Sequence, residues 1–244
     1  MNRILTLAAL AAVAVGANAQ QTFQITVENL GPQPLSPAFF SASDSTFNIF
    51  DINGTSSAGI KAIAEGGNTT PMFSIATAAG SAVMSFGRLP GSPLTTGNSS
   101  TSTFTADMAH GYLSFATMLG HTNDGFLGES VSSAGIFLFQ QDGTARSFST
   151  VITGLRAWDA GTEQNTQNAA DLGFLGGSGN PADSNNRIRI HDTIIPNVGD
   201  SWQQQEDWTL NSNLARVTVT PVPEPATFAV LGLGIAAAFR RRKK

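Results

Sequence analysis

Both ends of this 244-residue chain read as addressing segments, so only the stretch between them is available to build a fold. Residues 1–19, MNRILTLAALAAVAVGANA, combine a cationic start at Arg3 with an apolar run from Ile4 to Val15. The small-x-small triplet Ala17-Asn18-Ala19 follows. That order is a secretory signal peptide, with a mature chain expected to start near Gln20. At the other end, Ala226 to Phe239 is 14 residues without a charge, and Arg240 to Lys244 is five consecutive cations. The positive-inside rule keeps such a cluster cytoplasmic while the preceding domain is exported. A comfortable span needs about 20 apolar residues, so this short run is expected to be a marginal, transient membrane anchor.

Just upstream of that run stand Pro223-Glu224-Pro225. A Pro-Glu-Pro motif, a short apolar span and a terminal Arg cluster together resemble the PEP-CTERM sorting signal of Gram-negative bacteria. The resemblance implies recognition and cutting by an exosortase-type enzyme, and an envelope, extracellular or biofilm-matrix destination. Three segments are expected: a signal peptide (1–19), one folded domain (20–221) and a sorting segment (222–244).

Taking off the ends changes the electrostatics. Residues 20–221 carry seven cations and 16 acids, about −9, whereas the whole chain is −4. An acidic domain with the single lysine Lys61 will not seek a phosphate polymer, so a nucleic-acid partner is excluded. With no cysteine, the exported domain has neither disulfide staples nor thiolate metal ligands. The 16 phenylalanines, with many Val, Ile and Leu, are enough to bury a core.

The patterning in between is that of short strands. Thr22 to Glu28 alternates, with Phe23, Ile25 and Val27 on one face, and Leu214 to Thr220 alternates likewise. Pro71 to Ala76, Ala82 to Phe86, Tyr112 to Leu119, Gly135 to Gln140 and Arg146 to Leu155 are also strand-like. Arg187 to His191 is a short strand candidate. Ser56 to Glu65 is the one expected helix, capped by Ser56 or Ser57 and ended by Gly66-Gly67. Residues 90–102 and Gly161 to Asn186 are expected to be loops. Many short strands with polar connections predict a mainly all-β protein, an antiparallel β-sandwich with one short helix.

No nucleophile elbow, phosphate loop or dinucleotide fingerprint occurs, and His110, His121 and His191 lack metal-ligand spacing. The acids say more. Asp124 follows a strand in Gly120–Gly128, and Asp159 and Glu163 follow another, four apart across Gly161. One turn can aim both carboxylates inward, and loops at one end of a sandwich can bring Asp124 to them. Such a hard-oxygen set suits Ca²⁺, which takes 6–8 oxygen ligands. Ordinary Asx-turn chemistry is the competing reading.

Four ordered stretches resemble the spondin-N domain, known from animal extracellular matrix. They are Ile25–Leu30 with Leu35-Ser36-Pro37, Ser56–Pro71, Leu113–Gly128, and Trp158-Asp159-Ala160-Gly161-Thr162-Glu163. The resemblance implies an antiparallel β-sandwich with bound calcium, and maps the carboxylates onto Asp124, Asp159 and Glu163. Ser43, His121 and Glu163 depart from the family pattern, which bears on ion affinity more than on fold.

The function expected is a non-enzymatic, calcium-stabilised adhesion or matrix module. A carbohydrate-binding module for exopolysaccharide is the alternative, with Trp202 and Trp208 as stacking platforms and Trp158 more at home in the core. A glycosidase using Asp159 and Glu163 fits poorly, because an ion holds its carboxylate ligands ionised.

Overall fold

The computed structural model describes residues 20–133, 135–166, 168–178, 181–191 and 208–223. The signal peptide, Trp202, Glu224, Pro225 and the apolar C-terminal run lie outside the described residues. Among those described, no helix is long and apolar enough to cross a membrane.

Among the described residues, eleven strands form two antiparallel sheets. In chain order they are β1 (Gln21–Asn29), β2 (Phe39–Ser43), β3 (Val83–Arg88), β4 (Ser99–Ala106), β5 (Tyr112–Met118), β6 (Gly125–Glu129), β7 (Ile136–Phe137), β8 (Phe148–Thr153), β9 (Ala157–Asp159), β10 (Arg189–Ile190) and β11 (Asn213–Pro221). The smaller sheet runs β4-β1-β11-β8, and the larger β10-β9-β6-β5-β2-β3, with β7 also pairing β5. Two helices, α1 (Ala58–Gly66) and α2 (Thr70–Ala78), cover the outer face of the larger sheet. The expected sandwich is therefore present, with a third, helical layer added to it.

β1 buries Phe23, Ile25 and Val27, as its alternation requires, and is held between β4 and β11. The first and last strands of the domain are thus neighbours. Val222 N–H donates to Thr22 O at 2.8 Å, and Gln21 Nε2 donates to Val222 O at 2.9 Å. The points where the two terminal segments join the domain lie side by side. Between the sheets, Phe23, Phe40, Leu113, Phe115 and Val217 belong to one continuous core. A second core of Phe39, Phe50, Ile60, Ile63, Phe126 and Trp158 lies between the larger sheet and the helices. Central strand β2 is consequently buried at all five positions, and no polar-out alternation survives there.

Three expectations are corrected. Pro71 to Ala76 is helix, not strand: Pro71 falls in the first turn of α2, where its missing N–H costs nothing, and Met72 and Ala76 form an i, i+4 buried pair. Short apolar runs carry this ambiguity of period. The loop expected over 90–102 ends early, because Ser99-Ser100-Thr101-Ser102 already pairs with β1 as part of edge strand β4. The Asp124 loop also ends early, because Gly125 begins β6, which lies between β5 and β9. Phe47 to Phe50 has no regular structure, yet Phe47, Ile49 and Phe50 are buried in the helix-side core.

Candidate functional site

The three acids expected to act together do converge on one end of the larger sheet. Asp124 closes the β5–β6 turn. That turn is held by Thr122 Oγ1, which donates to Leu119 O at 2.7 Å and accepts from Gly125 N–H at 2.9 Å. Asp159 is the last residue of β9, paired in register with Gly125 on one side and Arg189 on the other. Glu163 follows two residues after Gly161, whose φ of +70° makes the sharp reversal. A Cβ on Gly161 would sit 2.4 Å from the backbone nitrogen of Arg187. Glycine is required here twice, for its backbone and for the close approach.

Asp124 is fully buried. Its Oδ2 accepts from Thr162 N–H at 2.6 Å, Thr162 Oγ1 at 3.1 Å and Glu163 N–H at 2.9 Å. Its Oδ1 is buried without a hydrogen-bond partner. Burial, then the neighbouring charge of Asp159, pushes the Asp124 carboxyl above its usual range, against the pull of the two loop N–H groups.

Asp159 has its oxygens engaged. Oδ1 accepts from Gly161 N–H at 2.6 Å, and Oδ2 accepts from Asn165 Nδ2 at 2.6 Å and Arg189 Nη2 at 2.8 Å. Arg189 also grips Asp183 at 2.7 Å. Burial still raises the Asp159 carboxyl, opposed by Arg189 and these donors.

Glu163 turns another way. Its side chain lines a cavity of about 330 Å³ with Ala62, Glu65 and Gly66 at the end of α1. Ser56 Oγ ties the approach to that helix to the site loop by donating to Ala160 O at 2.6 Å. Glu163 is only 6% exposed, and its carboxylate makes no hydrogen bond or ion pair among the described residues. Burial, then the charges of Glu65 and Asp124, pushes its carboxyl up to about 7.

The single three-carboxylate cluster is therefore corrected. Among the described residues, no group of three His, Asp or Glu side chains could hold a metal ion. Gly161 does turn the chain, but Asp159 pairs with Arg189 while Glu163 faces α1. The donor chemistry that fits a hard cation is the unpartnered Asp124 Oδ1 and the unpaired Glu163 carboxylate. Glu65 and Arg189 were missed as members of the site. Glu65 was legible only as the end of a helix, and Arg189 only as part of a short strand candidate.

The tryptophans separate as well. Trp158 is in the core, 2% exposed, and its Nε1 donates to Gly128 O at 2.9 Å. Trp208 is corrected as a sugar platform: it is 3% exposed, beside the His191 ring, so its faces are unavailable for stacking. Elsewhere, an apolar groove of about 640 Å³ is lined by Ile52, Val151, Leu155 and Ile190, with Arg156 and Glu129 paired within it at 2.7 Å. Those four aliphatics are half of the eight exposed large apolar side chains among the described residues.

A model of the PEP-CTERM protein-sorting motif matches residues 221–243. The chain is therefore an exported protein of the cell envelope, sorted by an exosortase-type enzyme. No curated protein matches it. The Spondin_N model matches residues 32–171, which run from the loop after β1 through β9 and the Asp159–Glu163 turn. With more than half its length under that match, the chain belongs to the Spondin_N family.

Proposed function

We propose that the mature domain is a non-enzymatic adhesion module that attaches to the envelope or matrix through the face holding Ile52, Val151, Leu155 and Ile190. The observation that carries this reading is the gathering of half the exposed large apolar side chains of the described residues around one groove. Contiguous apolar surface on an exported β-sandwich supports a contact face, since isolated exposed aliphatics would be scattered. The test is matrix retention of the exported protein with Val151→Asp and Leu155→Asp together. Both side chains are exposed, so folding is expected to survive, as an unchanged Tm would confirm. Release of the variant into the medium is the expected result, and retention equal to wild type would overturn the reading.

Calcium belongs to the same proposal as a stabilising ion. Asp124 and Glu163 are the residues that would hold it, with Asp159 setting the loop through Arg189 and the Gly161 N–H. When bound, the ion would supply positive charge to these buried carboxylates, and it would stabilise the folded state by mass action. Calorimetric scans of the mature domain in calcium and in chelator test this. A higher Tm in calcium, lost in Asp124→Asn, is expected. Identical scans would remove the ion from the proposal.

A further inference from the structure

The turn leading into α1 reads Asp51-Ile52-Asn53-Gly54-Thr55. Asn-x-Ser/Thr with a non-proline centre is the acceptor signature for N-linked glycans on exported proteins. The chain contains three such triplets, Asn53-Gly54-Thr55, Asn68-Thr69-Thr70 and Asn98-Ser99-Ser100, and their surroundings are unlike. Asn68 Oδ1 accepts from Thr70 N–H at 3.0 Å at the start of α2, and Thr69 is buried, so that triplet is part of the helix start. Asn98 Nδ2 donates to Thr95 Oγ1 at 2.7 Å, and the Ser100 hydroxyl donates to Pro90 O at 2.8 Å. Both groups a transferase must engage are in use there.

At the first triplet both groups are free. Asn53 and Thr55 are exposed, and neither the Asn53 carboxamide nor the Thr55 hydroxyl makes a hydrogen bond among the described residues. Asn53 has φ +65°, a left-handed turn residue of the kind Asn tolerates. The turn is pinned only through its backbone. Asn53 N–H donates to Ile188 O at 2.8 Å, Ile188 N–H donates to Gly54 O at 2.9 Å, and Arg187 Nη1 donates to Asn53 O at 2.6 Å. Those bonds hold the turn on the surface and leave the side-chain amide to solvent. Asp51, two residues earlier, is exposed beside it, a carboxylate ready for a cationic subsite on a transferase.

We propose that Asn53 is an N-glycosylation acceptor, modified in the export compartment with an oligosaccharide from a polyprenyl-diphosphate carrier. Asn53 Nδ2 attacks the anomeric carbon, and a C–N bond forms as the C–O bond to the diphosphate breaks. The electron pair leaves on the polyprenyl diphosphate, and one amide proton passes to a base of the transferase. No oxidation or reduction occurs. Thr55 Oγ1 serves as the hydroxyl by which the transferase recognises the triplet.

The test is to export the full chain in a bacterium that carries an oligosaccharyltransferase and its lipid-linked glycan, then weigh the purified protein and its peptides. A glycan mass on the Asn53 peptide is expected. Asn53→Gln and Thr55→Ala abolish it, Thr55→Ser retains it, and Asp51→Ala lowers occupancy several-fold. Asn68→Gln and Asn98→Gln leave it unchanged. An Asn53 peptide that is unmodified, or that carries only the ~1 Da gain of Asn-Gly deamidation, overturns the proposal, as does a glycan confined to Asn68 or Asn98. Mass, rather than retention or melting, is the readout, so this result is separable from the adhesion reading.

Discussion

The two cores of this protein are built by different rules. Between the sheets, Phe23, Ile25, Val27, Val217 and Val219 come from neighbouring strands in register, Phe23 opposite Pro221 through Val27 opposite Val217. Those five are placed by alternation along their strands, while Leu35, Leu89, Leu94 and Trp208 join the same core from connecting segments. On the helix side, Phe47, Ile49 and Phe50 come from a segment without regular structure, Ile60 and Ile63 from a helix, and Trp158 from a three-residue strand. The helix-side layer also borders Asp124, Asp159 and Glu163, all buried. A core closed by sheet pairing satisfies most of its backbone within the sheets, and here the end of β1 adds a buried amide, Asn29, whose Nδ2 donates to Gln33 O and Leu94 O. A core closed by loops must satisfy the loop backbone, and here buried carboxylates do so: Asp124 takes the N–H groups of Thr162 and Glu163, and Asp159 takes that of Gly161.

The sharpest way to break the contrast is a deletion in the inter-sheet core. Phe115→Ala removes a fully buried ring and is expected to cost about 3–5 kcal/mol, read as a loss of denaturant midpoint. On the carboxylate side the vulnerable position is backbone. Gly161→Ala meets both a left-handed φ and the 2.4 Å approach to Arg187, and a cost of about 2–4 kcal/mol is expected. If it costs less than Phe115→Ala by several-fold, the Asp159–Glu163 turn is dispensable to the helix-side core.

A pH series separates the two cores further. The Glu163 carboxyl is raised from 4.5 to about 7 in the folded state, so the fold binds a proton more tightly than the unfolded chain does. Its favourable contribution is fully present below pH 4.5 and is lost as pH rises through 7. Because solvent reaches the cavity, about 1–2 kcal/mol is expected rather than the full shift. In calcium-free buffer, Tm should fall between pH 5 and 8 in wild type and stay flatter in Glu163→Gln. The smallest effect concerns the clasp between the layers. His110 Nδ1 meets Asp107 Oδ1 at 2.8 Å and Nε2 meets Ser81 O at 2.8 Å. Burial works against the charge on His110, but these two partners outweigh it and raise its pKa above 6.5. His110→Ala is expected to cost about 0.5 kcal/mol at pH 6, and less as pH climbs past the raised value.

Much of the architecture was legible because period-2 alternation has one physical cause, a strand with one buried face. β1 and β11 show it cleanly, and they are the central pair of the smaller sheet. Helix α1 was legible through its ends. The Ser57 hydroxyl accepts from Ile60 N–H at 3.2 Å, and Gly67 takes the left-handed φ of +64°. Helix α2 was not, since Pro-Met-Phe-Ser-Ile-Ala presents both periods at once and only the neighbouring β3 and α1 decide between them. β6 was hidden because Gly125-Phe126-Leu127-Gly128-Glu129 is buried throughout and alternates in nothing.

For the site, the sequence placed Asp124, Asp159 and Glu163 in segments that directly follow strands, and left open whether their carboxylates share one site. Local spacing suffices for that placement. It also determined that the domain is acidic and exported, because charge and sorting signals are linear properties. Which atoms meet was decided by tertiary structure alone. Pairing of β9 with β10 brings Arg189 onto Asp159, and packing of α1 brings Glu65 toward Glu163. Burial then leaves Asp124 Oδ1 unpartnered. The reason is that a carboxylate's partner and charge are set by the low-dielectric neighbourhood that folding builds around it, and that neighbourhood is assembled from residues far apart along the chain.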